Sequence, residues 1–324
     1  MLDNKKVFLT GGAGFIGTKL CSVLCKNNSI FIYDSLRRNS IKDTDLLDSP
    51  NIRLIRGDIL DSRSLEQALS KFEPDAIVHL AAVAGIDTVI KNPVDTMKVN
   101  MMGTYNLLEA WRKTNIPLDR FVDISTSEVF GSYAYKAEEG STTNLQPVGE
   151  ARWTYSVSKL AGEHLAHSYY KEYGLPVVSV RPFNIYGPGQ VGEGAIHQFI
   201  TRAIKNEEMY VHGDGDQIRS WCYIDDFIDG LLLCMEKEEA VGSSFNIGNP
   251  RGTITISMLA QLIKRIAGSK SVIKYVPKNY VDVELRIPSI DKARRILAFE
   301  PRYDLAEGLE KTIDWYKKAV NRNG

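Results

Sequence analysis

The chain has 324 residues, and its 40 Lys and Arg balance 40 Asp and Glu, so the formal net charge is zero. This balance excludes the strongly basic surface that draws a protein to nucleic acid or to an anionic membrane, and an anionic substrate would need local arginines. With 44% hydrophobic residues, a chain of this length is expected to form about two lobes around a sizeable core.

The cysteines and the apolar runs of the sequence indicate in which cellular compartment the protein resides. Cys21, Cys25, Cys222 and Cys234 have neither CxxC spacing nor the density of a disulfide scaffold. We expect them to be small buried side chains in a reducing environment, and we expect no metal site. The start of the sequence leaves no room for the apolar region of a signal peptide, and no apolar run is long enough to span a bilayer. The sequence therefore predicts a cytoplasmic protein.

The first predicted elements are a strand at 5–10, a glycine-rich turn and a helix at 19–26. The turn reads Gly11-Gly12-Ala13-Gly14-Phe15-Ile16-Gly17. Glycine lets the backbone approach a pyrophosphate, and the following helix points its free N–H groups at that anion. This succession predicts a dinucleotide-binding site.

The end of the second predicted strand indicates which dinucleotide is bound. That strand, 29–33, is followed by Asp34, whose carboxylate can accept hydrogen bonds from the ribose diol of an adenosine. Arg37 and Arg38 could meet the 2′-phosphate of NADP, but Asp34 would repel that phosphate. The sequence therefore favours NAD over NADP.

The alternation of strands and helices continues, with predicted strands at 52–56 and 75–80 around a helix at 64–72. Such alternation predicts a parallel sheet covered by helices. His79, inside the later strand, is expected to be a packed core histidine. Ligands bind at the carboxyl ends of such strands, which places four residues on the cofactor side: Asp58, Ile59, Ala81 and Ala82.

A hydroxyl-rich segment follows the next predicted strand, 120–124, after a helical stretch at 93–113 that carries Asn100. The segment reads Ser125-Thr126-Ser127-Glu128. A carboxylate after three hydroxyls is unusual for packing alone, so we expect chemistry here, although Ser and Thr can also cap the turn.

Tyr155 and Lys159 are four residues apart, so they share one face of a helix. An ammonium beside a phenol lowers a pKa that is about 10 unperturbed, which makes the tyrosine usable as a base near neutral pH. The same spacing is common in surface pairs, and the pair alone does not decide between the two interpretations.

The alternation becomes irregular after a strand at 177–181. We expect an α/β fold with a Rossmann-type, doubly wound parallel sheet in residues 1–182, to which segments near 220–248 return. A smaller, interleaved α/β substrate lobe is expected in residues 183–324. Arg219 and Arg286 are candidates for binding a diphosphate or a carboxylate, because a guanidinium matches either anion with two hydrogen bonds.

Together, the glycine turn, Asp34, the Ser-Thr-Ser-Glu segment and the Tyr155/Lys159 pair resemble the extended short-chain dehydrogenase/reductase family over essentially the whole chain. Further similar segments are Leu80-Ala81-Ala82, Asn100, residues 181–188 including Asn184, 213–215 followed by Arg219, and 246–248. The resemblance implies an NAD-dependent enzyme acting on nucleotide sugars, in which a hydride leaves sugar C4. It implies Tyr155 as the base, Lys159 on the nicotinamide ribose and Thr126 on the C4 oxygen.

The resemblance also implies a residue set for each ligand. The cofactor-binding set is Gly11, Gly14, Phe15, Ile16, Gly17, Asp34, Asp58, Ile59, Leu80, Ala81, Ala82, Asn100, Tyr155 and Lys159. The set expected to bind the nucleotide sugar, which the family implies to be UDP-linked, is Asn184, Arg219 and Arg286. Relatives pair two long helices from each subunit, which implies a homodimer through residues 93–113 and 152–173.

Within that family, segments 125–129, 151–159 and 282–290 are similar to the UDP-glucuronate decarboxylases. This similarity adds Ser127, Glu128 and Arg286 to the catalytic set. The chain departs from it after Pro188, where the segment that shapes the sugar and uracil pocket is shorter.

Three alternatives stay open. A 4,6- or 5,6-dehydratase of an NDP-hexose or a UDP-N-acetylhexosamine shares the C4 ketone, but hexose dehydratases usually place Asp where this chain has Ser127. A UDP-sugar 4-epimerase has no use for Glu128. A non-catalytic nucleotide-binding protein would be expected to lack Tyr155, Lys159 or Thr126, and all three are present.

Overall fold

The computed structural model describes residues 2–278 and 280–322. The strands are β1 Lys6–Thr10, β2 Ser29–Asp34, β3 Ile52–Arg56, β4 Ala76–His79, β5 Arg120–Ile124, β6 Tyr133–Ala137, β7 Val177–Pro182, β8 Ile185–Tyr186, β9 Met209–His212, β10 Ile218–Ser220, β11 Cys222–Tyr223, β12 Ser243–Ile247, β13 Thr253–Thr255, β14 Ile273–Val276 and β15 Leu285–Pro288. The helices are α1 Phe15–Leu24, α2 Ser62–Phe72, α3 Ile86–Lys91, α4 Pro93–Met97, α5 Gly103–Thr114, α6 Thr154–Tyr173, α7 Ala195–Ile204, α8 Ile224–Glu236, α9 Ile256–Ala267, α10 Asp291–Leu297 and α11 Leu305–Arg322.

Seven parallel strands form the central sheet in the order β12-β7-β5-β4-β1-β2-β3. Successive side chains of a strand point to opposite faces, so Val7 and Leu9 join one apolar cluster while Phe8 joins the other. Helices α1 and α8 cover the first face, and α2, α5 and α6 cover the second. This is the predicted Rossmann-type arrangement, with the sheet buried on both sides.

A smaller sheet of order β13-β10-β15-β6 and two strand pairs, β8 with β11 and β9 with β14, lie beyond the central sheet. The strand β12 returns to the central sheet beside β7, within the predicted returning segments. Conversely, β6 pairs with β15 in the smaller sheet, although it falls within the first 182 residues. The chain therefore crosses between the two sheets more often than the sequence suggested.

Two helix boundaries differ from the sequence expectation for local reasons. The helix predicted at 19–26 begins at Phe15, inside the segment predicted as the glycine turn. The stretch predicted at 93–113 is divided into α4 and α5 by a π-helical turn, Lys98–Met102, where the backbone accommodates an extra residue. Within the described residues, no helix combines the length and the apolar character needed to cross a membrane.

Candidate active site

The glycine-rich turn is pressed against the end of β4. Gly11 has φ +70°, and a Cβ on it would lie 2.5 Å from the Ala81 nitrogen. A Cβ on Gly17 would lie 2.5 Å from the Gly12 Cα. Helix α1 begins at Gly14 without a side-chain cap, so its first N–H groups remain available to an anion. A close backbone approach combined with an uncapped helix start fits the pyrophosphate of a dinucleotide.

Asp34 ends β2 at one wall of a cavity of about 330 Å³. Its carboxylate accepts hydrogen bonds from the Ala13 nitrogen (3.0 Å) and the Leu36 nitrogen (2.6 Å). Burial raises the pKa of Asp34 and these two bonds lower it, with burial the larger effect. Eight of the predicted cofactor residues line this cavity: Gly11, Gly14, Asp34, Asp58, Ile59, Leu80, Ala81 and Ala82.

The two arginines after β2 have partners of their own. Arg37 forms an ion pair with Asp95 at 2.8 Å. Arg38 donates to the Ala84 carbonyl at 2.7 Å. Because both guanidiniums are engaged, and Asp34 stands beside them, the cavity fits NAD better than NADP.

Three predicted cofactor residues lie behind the cavity walls. The Asn100 side chain is buried and bonds both backbone groups of Val83, with its Oδ1 2.7 Å from the nitrogen and its Nδ2 3.0 Å from the oxygen. Asn100 therefore holds the loop after β4 in place. Gly17 and Lys159 are also buried.

Gly14→Ala is expected to weaken NAD binding about tenfold or more while leaving the fold intact. Gly14 has φ −73°, and a Cβ there meets only the Gly11 oxygen, at 3.3 Å. The added methyl would instead occupy the place that the backbone leaves for a phosphate. Isothermal titration calorimetry with NAD measures the effect. Gly140→Ala is the matched control, because nothing lies within 4 Å of its Cβ position; equal losses in both variants would contradict the expectation.

A second cavity, of about 280 Å³, brings together all the predicted catalytic residues except Lys159. Thr126, Ser127 and Glu128 follow β5, and the Thr126 hydroxyl accepts a hydrogen bond from the Glu128 nitrogen at 3.2 Å. Thr126 thus also caps the 3₁₀ turn Ser127–Phe130. The predicted residues on its wall are Phe15, Ile16, Thr126, Ser127, Glu128, Tyr155, Asn184 and Arg286.

The pKa of Tyr155 moves in the direction opposite to the sequence expectation. Burial and the nearby Glu128 charge raise this pKa, and they outweigh the Thr126 hydroxyl and two arginines, which lower it. Lys159 is not among these groups that shift the Tyr155 pKa. Burial lowers the pKa of Lys159 itself, and Asp123 and Glu163 oppose that effect. The phenol is therefore protonated at neutral pH.

Glu128 is held by a guanidinium that the sequence reasoning did not single out. Arg152 donates to both carboxylate oxygens of Glu128, at 2.6 and 2.9 Å. Arg286 approaches the same carboxylate at 3.6 Å. Burial alone would raise the pKa of Glu128, but the arginines lower it below its usual value, so Glu128 is ionised.

The interactions of Glu128 extend into a linked group of charges, which we call the arginine cluster. Asp282 lies 3.7 Å from Arg152, 3.4 Å from Arg219 and 3.6 Å from Lys278. Arg219 and Arg286 are neighbours because β10 and β15 pair in register at these two residues. The cluster comprises Arg152, Arg219, Arg286, Lys278, Glu128 and Asp282.

Five of the six members of the arginine cluster, all but Lys278, line a third cavity of about 550 Å³. The wall of this cavity also includes Asn184, whose amide donates to the Ser220 carbonyl at 2.8 Å. Arg152 and Asp282 lie in the segments that are similar to the decarboxylases. The sequence feature that could have identified Arg152 is its position three residues before Tyr155. What the sequence lacked was their proximity to Glu128.

None of the four cysteines is among the lining residues of the three cavities. Cys21, Cys222 and Cys234 are buried free thiols, and burial raises the pKa of each. Over residues 2–278 and 280–322, no group of three or more His, Cys, Asp or Glu side chains is arranged to hold a metal ion.

Known proteins share this architecture and sequence. The model of the NAD dependent epimerase/dehydratase family matches residues 7–248. The chain is 33% identical over 322 residues to UDP-glucuronic acid decarboxylase 1 of Arabidopsis thaliana, covering 97% of this chain and 70% of that protein. It is 31% identical over 327 residues to UDP-N-acetyl-alpha-D-glucosaminuronate decarboxylase of Bacillus cytotoxicus, covering 98% and 99%.

A solved structure is similarly close. The crystal structure of UDP-glucuronic acid 4-epimerase from Bacillus cereus, in complex with UDP-glucuronic acid and NAD, matches with a TM-score of 0.87 and 31% identity. The match covers 97% of this chain and 99% of that one. The similarity therefore extends over both sheets and all three cavities.

Proposed function

The chain belongs to the NAD dependent epimerase/dehydratase family, and we propose that it decarboxylates UDP-glucuronate after oxidising the sugar at C4. The arginine cluster is the observation that carries this proposal. Its four cations face two carboxylates, Glu128 and Asp282. A buried surplus of positive charge favours an anionic ligand. A UDP-hexuronic acid offers both a diphosphate and a C6 carboxylate.

The residues divide between two ligands. Gly11, Gly14 and Asp34 hold NAD, which supplies the hydride acceptor for C4. Tyr155 acts as the base in its phenolate form, so its raised pKa must first fall when a cation such as the nicotinamide ring of NAD is placed beside it. The phenolate then takes the proton of the C4 hydroxyl, and Thr126 bonds the C4 oxygen. The three predicted substrate residues, Asn184, Arg219 and Arg286, bind the nucleotide sugar through its anionic groups.

A ketone at C4 makes the C6 carboxylate a β-keto acid. The bond between C5 and C6 breaks, CO₂ leaves, and its electron pair remains on C5 and the C4 oxygen as an enolate. The site must then stabilise the enolate oxygen and deliver a proton to C5. Ser127 and Glu128 occupy the cavity with Tyr155 and are assigned these tasks.

The charge on Glu128 makes proton delivery dependent on the substrate. Arg152 and Arg286 now keep Glu128 ionised. A second carboxylate placed among these arginines adds negative charge and competes for their hydrogen bonds, and both effects raise the pKa of Glu128. An anionic sugar thus creates the proton donor that its own decarboxylation requires, whereas a neutral sugar leaves Glu128 paired.

The proposal is tested by incubating the protein with UDP-glucuronate, UDP-glucose and UDP-N-acetylglucosamine separately in D₂O. UDP-N-acetylglucosaminuronate forms a fourth arm, because one full-length relative is a decarboxylase of that sugar. Mass spectrometry and NMR then identify the products. We expect UDP-glucuronate to lose CO₂ and its product to carry deuterium at C5. Hydride return to C4 would make that product a UDP-xylose.

The other outcomes assign the alternatives. Loss of water from a neutral sugar would make the protein a dehydratase. An unchanged mass with inverted C4 would make it an epimerase, as in the structurally similar Bacillus cereus protein. No NADH and no product in any arm would remove the assignment of a nucleotide-sugar enzyme.

We also propose that the protein is a cytoplasmic homodimer with an NAD lobe, residues 1–182, and an interleaved substrate lobe, residues 183–324. Support for the dimer comes from large apolar side chains exposed on the two candidate helical segments: Val94, Met102, Tyr105, Tyr170 and Tyr173. Sedimentation velocity is expected to give twice the mass of the chain at micromolar concentration, and a monomer would contradict the proposal. The four free thiols suit a reducing compartment.

A further inference from the structure

A row of polar side chains crosses the central sheet beneath α6. The residues two positions earlier in four of these strands, Phe8, Ile77, Phe121 and Val177, belong to the apolar cluster on the same face. The row therefore marks where this face changes from apolar to polar. Its members, in register across β1, β4, β5, β7 and β12, are Thr10, His79, Asp123, Ser179 and Ser244.

Asp123 is the acidic member of this row, and packing alone does not explain why a carboxyl group is buried there. Its exposed fraction is 0%, and neither carboxyl oxygen has a hydrogen-bond partner among residues 2–278 and 280–322. Burying an unpaired carboxyl is costly. Burial raises the pKa of Asp123 to about 6, with Lys159 acting in the opposite direction. Asp123 is thus mostly ionised at neutral pH despite its surroundings.

The groups that face Asp123 come from the two neighbouring strands and from α6. His79 on β4 stays neutral, since burial lowers its pKa to about 3, and its ring nitrogens lie 2.7 Å from the Thr10 hydroxyl and 2.9 Å from the Thr104 hydroxyl. Ser179 on β7 does not titrate. Two charged residues of α6 remain, Glu163 and Lys159.

Glu163 already has its own counter-charge. Arg181 donates to it at 2.8 Å, and the hydroxyls of Ser125 and Ser244 each donate to it at 2.6 Å. Lys159 has no comparable set of charged and polar partners within residues 2–278 and 280–322. It lies one helical turn after Tyr155 and is 3% exposed. Within the described residues no carboxylate lies within 4 Å of its ammonium, and Asp123 and Glu163 are the two charges that raise its pKa against the effect of burial.

We propose that Asp123 is a positioning residue: its buried carboxylate is the counter-charge that keeps Lys159 protonated beneath Tyr155. Without that charge, burial would favour the neutral amine, and the cation next to the catalytic phenol would be lost. The inference rests on the proposed roles of Tyr155 and Lys159 but not on decarboxylation. It holds for any reaction here that begins with oxidation at C4.

The direct test is the titration of Lys159 itself, followed by NMR of ¹³C-labelled lysine side chains in the full chain without substrate. The Lys159 signal is identified by its loss in Lys159→Met. In Asp123→Asn we expect Lys159 to lose its proton about one pH unit lower. Ser179→Ala, one strand away in the same row, removes a hydroxyl that lowers the pKa of Asp123 but removes no charge, so we expect it to leave the Lys159 titration nearly unchanged. No shift in Asp123→Asn, or an equal shift in Ser179→Ala, would overturn the proposal.

The reciprocal measurement does not depend on the Asp123 variant. Coupling between two sites is mutual, so the ¹³C carboxyl titration of Asp123 is expected to move upward from about 6 in Lys159→Met. An unmoved Asp123 titration would overturn the proposal even if Asp123→Asn failed to fold.

The kinetic readout is the pH profile of NADH formation with UDP-glucuronate. In Asp123→Asn the alkaline limb is expected about one pH unit lower, with the same limb in Ser179→Ala as in the unmodified chain. Because the folded state raises the pKa of Asp123, its stabilising contribution is lost as pH rises through about 6. The unmodified chain should therefore lose melting temperature as pH rises through about 6, and Asp123→Asn should lack this loss. A lower melting temperature with an unmoved limb would make Asp123 a structural residue only.

Discussion

Tyr155→Phe is expected to slow the reduction of NAD by roughly 10²- to 10⁴-fold. Tyr155, as its phenolate, is the group in the catalytic cavity that we assign to take the C4 hydroxyl proton, and phenylalanine removes only that oxygen. Rapid mixing with UDP-glucuronate, followed by NADH absorbance, measures the first turnover. Binding of NAD and of UDP-glucuronate should stay within about threefold of the unmodified chain, a difference below about 1 kcal/mol.

Tyr169→Phe is the matched control for this experiment. Tyr169 lies on the same helix, is buried, and donates its hydroxyl to Glu109, so the two variants lose the same atom. We expect Tyr169→Phe to reduce NAD at the unmodified rate. If Tyr155→Phe did so as well, the base would have to be another group, and the proposed roles of Lys159 and Asp123 would fall with it.

The local parts of this molecule could be predicted from the sequence because their signals are local. The glycine turn is recognisable from seven consecutive residues, and Asp34 follows at the end of the next strand. The Tyr155/Lys159 pair needs only helical spacing. The structure departs from the sequence prediction in the pKa of Tyr155, because that pKa depends on burial of the phenol and on the charge of Glu128, 27 positions earlier.

The arginine cluster could not be predicted in the same way. Its members come from four separated segments, and Arg219 meets Arg286 only through the pairing of β10 with β15, strands of three and four residues. Strands this short carry no detectable periodicity. Sequence similarity identified the segments that contain Arg152 and Asp282, but the hydrogen bonds to Glu128 and the surplus of positive charge are properties of the fold.

Glu128→Gln is expected to separate the two halves of the reaction. The C5 proton would no longer be delivered, so turnover should fall by roughly 10²- to 10⁴-fold while NAD is still reduced and NADH persists. The charge on Glu128 raises the pKa of Tyr155, so its removal lowers that pKa and the first half should be as fast as before or faster. Rapid mixing measures NADH formation, and NMR in D₂O measures deuterium at C5.

The stability of this variant needs its own control, because Arg152 and Arg286 would face a neutral amide. Removing one partner of a buried ion pair costs about 3–5 kcal/mol, although the glutamine oxygen still accepts a hydrogen bond. Glu139→Gln is the comparison: this half-buried carboxylate accepts from the Asn246 nitrogen at 2.8 Å, outside the catalytic cavity, and it should keep full turnover. Full turnover in Glu128→Gln would exclude Glu128 as the C5 proton donor. Loss of NADH formation there would instead assign Glu128 to binding, because a residue that acts only at C5 cannot affect the removal of hydride from C4.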